Sequence, residues 1–205
     1  MPKLVDHAQR RAALARAVWA VIDREGIEGA TVRRVADEAG VSVGGLRHYF
    51  DSQRGLVLFA AQEVASAVTA RLTAHLEADL PGPERAQRLL EELLPLDAER
   101  RVEVDVWLAC LMRSRVDGTL AEVRRTAWSG ERHVCRLAVA HRCGVAPPGA
   151  IGDELQDPLL ERRAGRLHVF VDGLTLQAAA FRDRLPPRAV RALLEAELDA
   201  VADPV

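Results

Sequence analysis

Between Leu160 and Leu185 the chain carries Leu160, Ala164, Leu167, Val171, Leu174, Ala178, Phe181 and Leu185, separated by steps of 4, 3, 4, 3, 4, 3 and 4. Alternating threes and fours match the turn of an α-helix and no strand period, so the spacing predicts a helix from about Asp157 to Leu185 with one unbroken apolar seam. Pro186 and Pro187 break it, and Val190, Leu193, Leu194, Leu198 and Val201 stripe a last helix. The other side of the long helix is also apolar, at Leu159, Val169, Phe170, Gly173 and Leu176. Two apolar faces need two partners: the chain's own core is one, and a second copy across a two-fold axis is the natural other. The residues expected at such a dimer interface are Leu160, Leu167, Phe170, Val171, Leu174, Ala178 and Phe181, with Leu194 and Leu198 from the last helix. Which face of the long helix turns outward is left open by the periodicity.

The same period governs the N-terminal region, in shorter pieces. Asp6 and Gln9 read as a helix start, Leu14, Val18, Val21 and Ile22 recur at helical spacing, and Gly26 supplies a left-handed stop, giving a helix over about 7–25. Thr31 caps a second helix striped by Val32, Val35, Ala36 and Ala39, which Gly40 ends after two turns. Ser42 caps a third, with Leu46 and Phe50 directed inward. Two short helices joined through glycine predict a helix-turn-helix: Ala36 permits a close crossing, Gly40 takes positive φ, and Val41 and Leu46 fill the wedge. Arg47, His48 and Tyr49 fall near the end of the third helix. An arginine there can grip guanine in a bidentate fork, and histidine and tyrosine can donate to phosphate.

Charge agrees with this division. The whole chain has 28 basic against 30 acidic residues, but its first 56 residues hold nine basic against seven acidic. A small basic head on an acidic body is compatible with phosphate binding if the cations share a face. Three cysteines among 205 residues exclude a disulfide scaffold and favour a reducing compartment. No uncharged apolar stretch approaches the roughly 18 residues of a membrane span, and the N-terminus alternates charged with apolar residues. A cytoplasmic protein with no membrane partner is expected.

The stretch Thr31 to Phe50, TVRRVADEAGVSVGGLRHYF, resembles the N-terminal signature of the TetR family of transcriptional regulators, and Asp51 to Leu56, DSQRGL, resembles the start of that family's connecting helix. Val171 to Phe181, VDGLTLQAAAF, is similar to the corresponding helix of members with a BetI-like C-terminal domain. The resemblance implies that Thr31 touches phosphate, that Ser42, Val43, Gly44 and Gly45 open the recognition helix, and that Arg47, His48 and Tyr49 supply its polar contacts. Arg33 and Arg54 complete the expected DNA-binding set. Val43, Gly45 and Arg47 stand where Lys, Thr and Tyr are frequent in the family, and Gln53 replaces a frequent Lys beside Arg54, so no operator sequence carries over.

The fold expected is therefore all-α: a three-helix helix-turn-helix domain over 1–50, then a helical effector-binding and dimerisation domain over 51–205, with 51–79 as the connecting helix and about nine helices in all. Between these lie helices expected over Glu84–Leu94, from Asp97 to about Val116, and from a Thr119–Glu122 capping box to about Arg142, then a loop over Val145–Gly152. The function expected is that of a sequence-specific DNA-binding regulator, a dimeric repressor released from a palindromic double-stranded operator by a small molecule. Trp107, Cys110, Met112, Ser114, Trp128, His133 and Gln177 are the candidate lining of the effector pocket. The effector's identity stays open, as does constitutive repression or response to a protein partner. The alternative is a helical small-molecule binding protein without specific DNA affinity.

Two enzyme or metal readings are weighed and set aside. Gly40-Val41-Ser42-Val43-Gly44 matches GxSxG, but a nucleophile elbow needs a buried strand before its serine, and here a helix precedes it. His133, Cys135, His141 and Cys143 tempt a metal or thiol-sensor reading, yet steps of eight residues are about 12 Å along a helix, too far to share one Zn2+. No catalytic residue, cofactor or metal is expected.

Overall fold

A computed structural model of the chain describes residues 7–47, 50 and 52–202. The described residues form nine α-helices, two short 3-10 turns and no strand. The helices are α1 (His7–Glu25), α2 (Val32–Ala39), α3 (Val43–Arg47), α4 (Gln53–Glu77), α5 (Gly82–Glu91), α6 (Ala98–Arg113), α7 (Ala121–Cys143), α8 (Pro158–Ala180) and α9 (Pro187–Ala202). They divide between two compact units: residues up to 66 together with 105–123, and residues 67–104 together with those from 124 on. The division passes through α4, α6 and the first turn of α7.

The first unit is thus larger than the helix-turn-helix expected over 1–50. Its core joins Leu14, Val18, Val21 and Ile22 of α1, Val35 and Ala36 of α2 and Leu46 of α3 to Leu56, Val57, Phe59 and Ala60 of α4, all buried. The Phe50 and Phe59 rings lie 4.8 Å apart. Trp19 Nε1 donates to the Ala60 carbonyl at 3.4 Å, and Arg11 pairs with Glu63 at 2.6 Å while its guanidinium lies over the Phe59 ring. The end of α6 belongs here too, through Cys110, whose thiol faces the Val57 carbonyl, and Arg113, 2.7 Å from Glu28. α4 is long and apolar enough to compare with a membrane span, but Arg54, Glu63 and Arg71 punctuate it and its first two turns are packed in protein.

The second unit is built around α8. Leu160, Ala164, Leu167, Val171, Leu174 and Ala178 are all buried, together with Leu89, Leu90 and Leu94 of the α5 region, Val134 to Ala140 of α7, and Val190, Leu194 and Leu198 of α9. Of the residues expected at the dimer interface, those of the heptad seam up to Ala178, with Leu194 and Leu198, pack within the core of the single chain, and Phe170 packs partly against it. What α8 leaves outside is the other strip, with Val169 72% exposed and Leu176 54% exposed. Phe181 is exposed as well, because α8 ends at Ala180 and not at Leu185: Phe181 leaves the helical region at φ −128°, and its carbonyl accepts from Arg184 and Leu185 in a turn. The predicted Thr119–Glu122 capping box is also replaced. Asp117 accepts from the Thr119 N–H at 3.0 Å and from the Thr119 hydroxyl at 2.6 Å, opening a 3-10 turn ahead of α7. The start of α6 follows expectation, with Asp97 accepting from the Arg100 N–H at 2.9 Å.

Gly82 sits where a Cβ would lie 2.4 Å from the His141 carbonyl oxygen, so the start of α5 can approach the end of α7 only without a side chain. Two carboxylates then tie the unit together. Glu92, buried, accepts from Arg71 at 2.6 Å and Arg100 at 2.5 Å and lies 2.9 Å from His75 Nε2. Glu161 accepts from Arg132 at 2.7 Å, Arg136 at 2.8 Å and the Leu155 N–H at 3.1 Å, which anchors the end of the loop before α8. Burial by itself raises both carboxyls, but N–H donation, first from Arg100 to Glu92 and from Arg136 to Glu161, outweighs it and holds each at about 2.

A carboxyl held below its ordinary value of 4.5 stabilises the fold above that value and loses its contribution as pH falls toward the folded value. Urea denaturation should therefore show stability falling between pH 5 and 2. Glu92→Gln, which leaves two half-buried guanidiniums short of a counter-charge, should cost about 3 kcal/mol at neutral pH and flatten that acid limb.

Candidate nucleic-acid interface

The geometry of the head follows from one glycine. Gly40 adopts φ 64° after α2; its N–H donates to the Asp37 carbonyl at 3.2 Å and the Val41 N–H donates to the Ala36 carbonyl at 3.0 Å. This pair of bonds is a Schellman closure, in which a left-handed residue reverses the chain while satisfying the last carbonyls of the helix. Ser42 then starts α3, its Oγ accepting from the Gly45 N–H at 3.0 Å. Leu46 is fully buried and accepts from the Phe50 N–H at 3.0 Å, so the short helix is rooted by two apolar residues on its inner side. Ser42, Gly44 and Arg47 remain exposed on the outer side. Thr31 caps α2, accepting from the Arg34 N–H at 3.3 Å, which places its hydroxyl at a helix N-terminus.

The cations of the head are not equivalent. Arg24 pairs with Glu38 at 3.0 Å and with Glu25 at 3.3 Å, Arg34 pairs with Glu25, and Arg11 is engaged by Glu63. Arg54, expected to serve DNA, lies 3.0 Å from Asp117 and lines a crevice with Ile27, Val57, Arg113 and Leu120. Donation from the Thr119 side chain holds the Asp117 carboxyl low, so this partner is anionic at neutral pH. Arg33 on α2 and Arg47 at the end of α3 are exposed, and neither has an ion-pair partner among the described residues. His48 and Tyr49 lie outside the described residues.

Residues 14–60 match the family model for bacterial regulatory proteins of the tetR family, and residues 82–203 match that for the C-terminal region of BetI-type transcriptional repressors. The chain belongs to the TetR family of transcriptional regulators. Among curated relatives it is 35% identical over 179 residues to the transcriptional regulator PksA of Bacillus subtilis, covering 87% of this chain and 82% of that one. It is 32% identical over 129 residues to the regulator BetI of Vibrio parahaemolyticus, covering 61% and 64%. Among solved structures, a transcriptional regulator from Rhodococcus sp. RHA1 superimposes with a TM-score of 0.76 at 30% identity over 93% of this chain and 95% of that one. A putative regulator from Saccharomonospora viridis, solved in complex with choline, shares the fold at 21% identity, with a TM-score of 0.74 over 94% and 97%.

For this TetR-family regulator, the GxSxG match falls on the turn between α2 and α3, where Ser42 serves as a cap and no strand precedes it. The seven candidate effector residues are divided. Trp107, Cys110, Met112 and Ser114 lie in the first unit: Cys110 and Ser114 are buried, the Ser114 hydroxyl donating to the Leu111 carbonyl at 2.7 Å, and Met112 is 60% exposed. Trp128, His133 and Gln177 lie in the second, where Trp128 is largely exposed with its ring 5.4 Å from that of His168. A cleft of about 210 Å³ in the second unit is lined by Pro83, Glu84, Gln87, Arg142, Glu195 and Leu198. Nothing in the spacing of those six residues singles them out. Burial pushes the Cys110 thiol up to about 12 and drives that of Cys135 further above the ordinary thiol range, which disfavours the reactive thiolate at both.

Ser42→Ala should cost about 1 kcal/mol in chemical denaturation through loss of the cap, and Ser42→Asp, which keeps an acceptor for the Gly45 N–H, should restore most of it. Equal stability of the two variants would remove the capping role.

Proposed function

We propose that this regulator works as a homodimeric repressor in which two copies of α3 read the halves of a palindromic operator, and that a small molecule bound by the larger unit releases it. The observation that supports the DNA contact is the uneven pairing of the head's cations: Arg11, Arg24, Arg34 and Arg54 are held by carboxylates, whereas Arg33 at the start of α2 and Arg47 at the end of α3, like Arg10 and Arg16 of α1, are exposed with no ion-pair partner among the described residues. Thr31 and Arg33 contact phosphate. Ser42, Val43, Gly44 and Gly45 bring the start of α3 close to the duplex, and Arg47, with His48 and Tyr49, supplies base and backbone contacts. Arg54 contributes to the local field through the edge of its guanidinium that Asp117 leaves free.

Dimerisation rests on the outer strip of α8. Leu159, Val169 and Leu176 are exposed beside Phe181, with Leu193 of α9 also exposed. Exposed large apolar side chains of this kind, on a helix whose seam is already used inside the chain, favour a second copy. One short helix makes too few base contacts for useful selectivity, whereas two on a two-fold axis multiply them across half-sites about 34 Å apart or more. Release is a population shift: a ligand favouring a dimer whose heads are spaced differently lowers operator affinity by its differential affinity for the two states, about 5- to 150-fold for a typical coupling. The choline held by a fold neighbour makes choline one probe of this release. The protein acts in the cytoplasm, where its DNA is.

Fluorescence anisotropy on the DNA upstream of the protein's own coding sequence tests the reading. Binding should weaken steeply with salt; Arg47→Ala should lower affinity about tenfold or more and relax sequence preference, and Arg33→Ala should reduce the salt slope by about one. Equal binding to unrelated DNA at low salt would overturn it. Val169→Asp combined with Leu176→Asp should convert the free protein to a monomer in sedimentation velocity, whereas an unchanged dimer would move the interface elsewhere.

A further inference from the structure

We propose that Glu131, His168 and Asp172 form a binding site for one divalent transition-metal cation, of which Zn2+ and Co2+ are the natural probes. His168 and Asp172 are one turn apart on α8, and Glu131 reaches them from α7. His168 Nε2 lies 3.6 Å from a Glu131 carboxylate oxygen and 3.8 Å from one of Asp172, and the three donor atoms all fall within 4.8 Å of one another. Both separations exceed a hydrogen bond. The His168 ring is nevertheless almost wholly buried, and its Nε2 has no hydrogen-bond partner. A buried ring nitrogen is normally satisfied. Here it lies between two carboxylates, at ion-pair distance from each but hydrogen-bonded to neither.

That spacing suits a third body. Donors about 2.0–2.2 Å from one tetrahedral ion lie about 3.3–3.6 Å from each other, so side-chain shifts of a few tenths of an ångström to about one close the site. One imidazole and two carboxylates suit Zn2+ and its transition-metal neighbours. Mg2+ and Ca2+ take oxygen ligands, and the absence of a thiolate from the set disfavours Cu(I). Three protein donors leave a fourth position for water or an exogenous group. The nearby Arg132 is turned away to Glu161, 2.7 Å from its carboxylate, so it does not supply the counter-charge. Asp172 is about half exposed in the single chain, and the Trp128 ring lies against His168. All three ligands come from one chain, so the site goes beyond the proposed operator and dimer functions and does not depend on them.

Full-length protein stripped with a chelator and titrated with Co2+ tests the site. Expected are one Co2+ per chain, visible absorption of a low-symmetry centre, and its loss on addition of Zn2+. Asp172→Asn and His168→Gln should each weaken binding by at least about tenfold. Because Asp172 is half exposed, Asp172→Asn should keep the wild-type circular dichroism and melting temperature, which separates lost ligation from lost folding. No stoichiometric uptake of Co2+ or Zn2+ at micromolar concentration would overturn the proposal, as would uptake of undiminished affinity in both variants.

Discussion

The larger unit depends on how one helix spends its apolar residues. The seam of α8 from Leu160 to Ala178 is taken up within a single chain, against α5, α7 and α9. Burial of that seam sets the rotation of α8 about its axis, and the rotation decides which residues are left outside. Val169, Asp172 and Leu176 share the outer strip because they lie three and four residues apart on the side away from Leu167, Val171 and Leu174. The proposed dimer face and the position of Asp172 therefore follow from one packing arrangement.

Charge is handled in a similar way in both units. Glu92 and Glu161 each collect two guanidiniums, so buried carboxylates are compensated and not merely tolerated. In the head, carboxylates pair with four of the eight arginines, Arg11, Arg24, Arg34 and Arg54, and leave Arg33 and Arg47, with Arg10 and Arg16, without an ion-pair partner among the described residues. A count of basic residues overstates what is available to DNA, and the selective pairing gives the field a direction. The cluster of Glu131, His168 and Asp172 stands apart from this pattern, since no arginine closes it and its imidazole nitrogen is left without a bond.

The helices were largely legible in the sequence because their ends carry local signals. Gly26 and Gly40 take positive φ as expected, and Thr31, Ser42 and Asp97 cap the helices they were assigned to. Three features needed tertiary structure. Periodicity carried the seam to Leu185, but the backbone leaves the helix at Phe181, which turns a predicted seam residue outward. The seam itself reads identically whether its partner is the same chain or another, so only burial could assign Leu160 to Ala178 to the core. The division of the chain at residues 66 and 105 depends on long-range contacts such as Trp19 with Ala60 and Cys110 with Val57. Within the interface, Arg47 was readable from its place on α3, whereas the commitment of Arg54 to Asp117 joins residues 63 positions apart. The His168–Asp172 spacing was visible on one helix, but Glu131 enters from another.

The central claim, that two reading heads act together on one site, is tested most directly by the mass of the protein–DNA complex. Sedimentation of the chain on the duplex it protects upstream of its own coding sequence, and on the same duplex cut to one half-site, counts the chains bound to each. Two chains on the intact site, with affinity for the half-site lower by orders of magnitude, is the result predicted. One chain on the intact site, or equal affinity for both duplexes, would contradict the account.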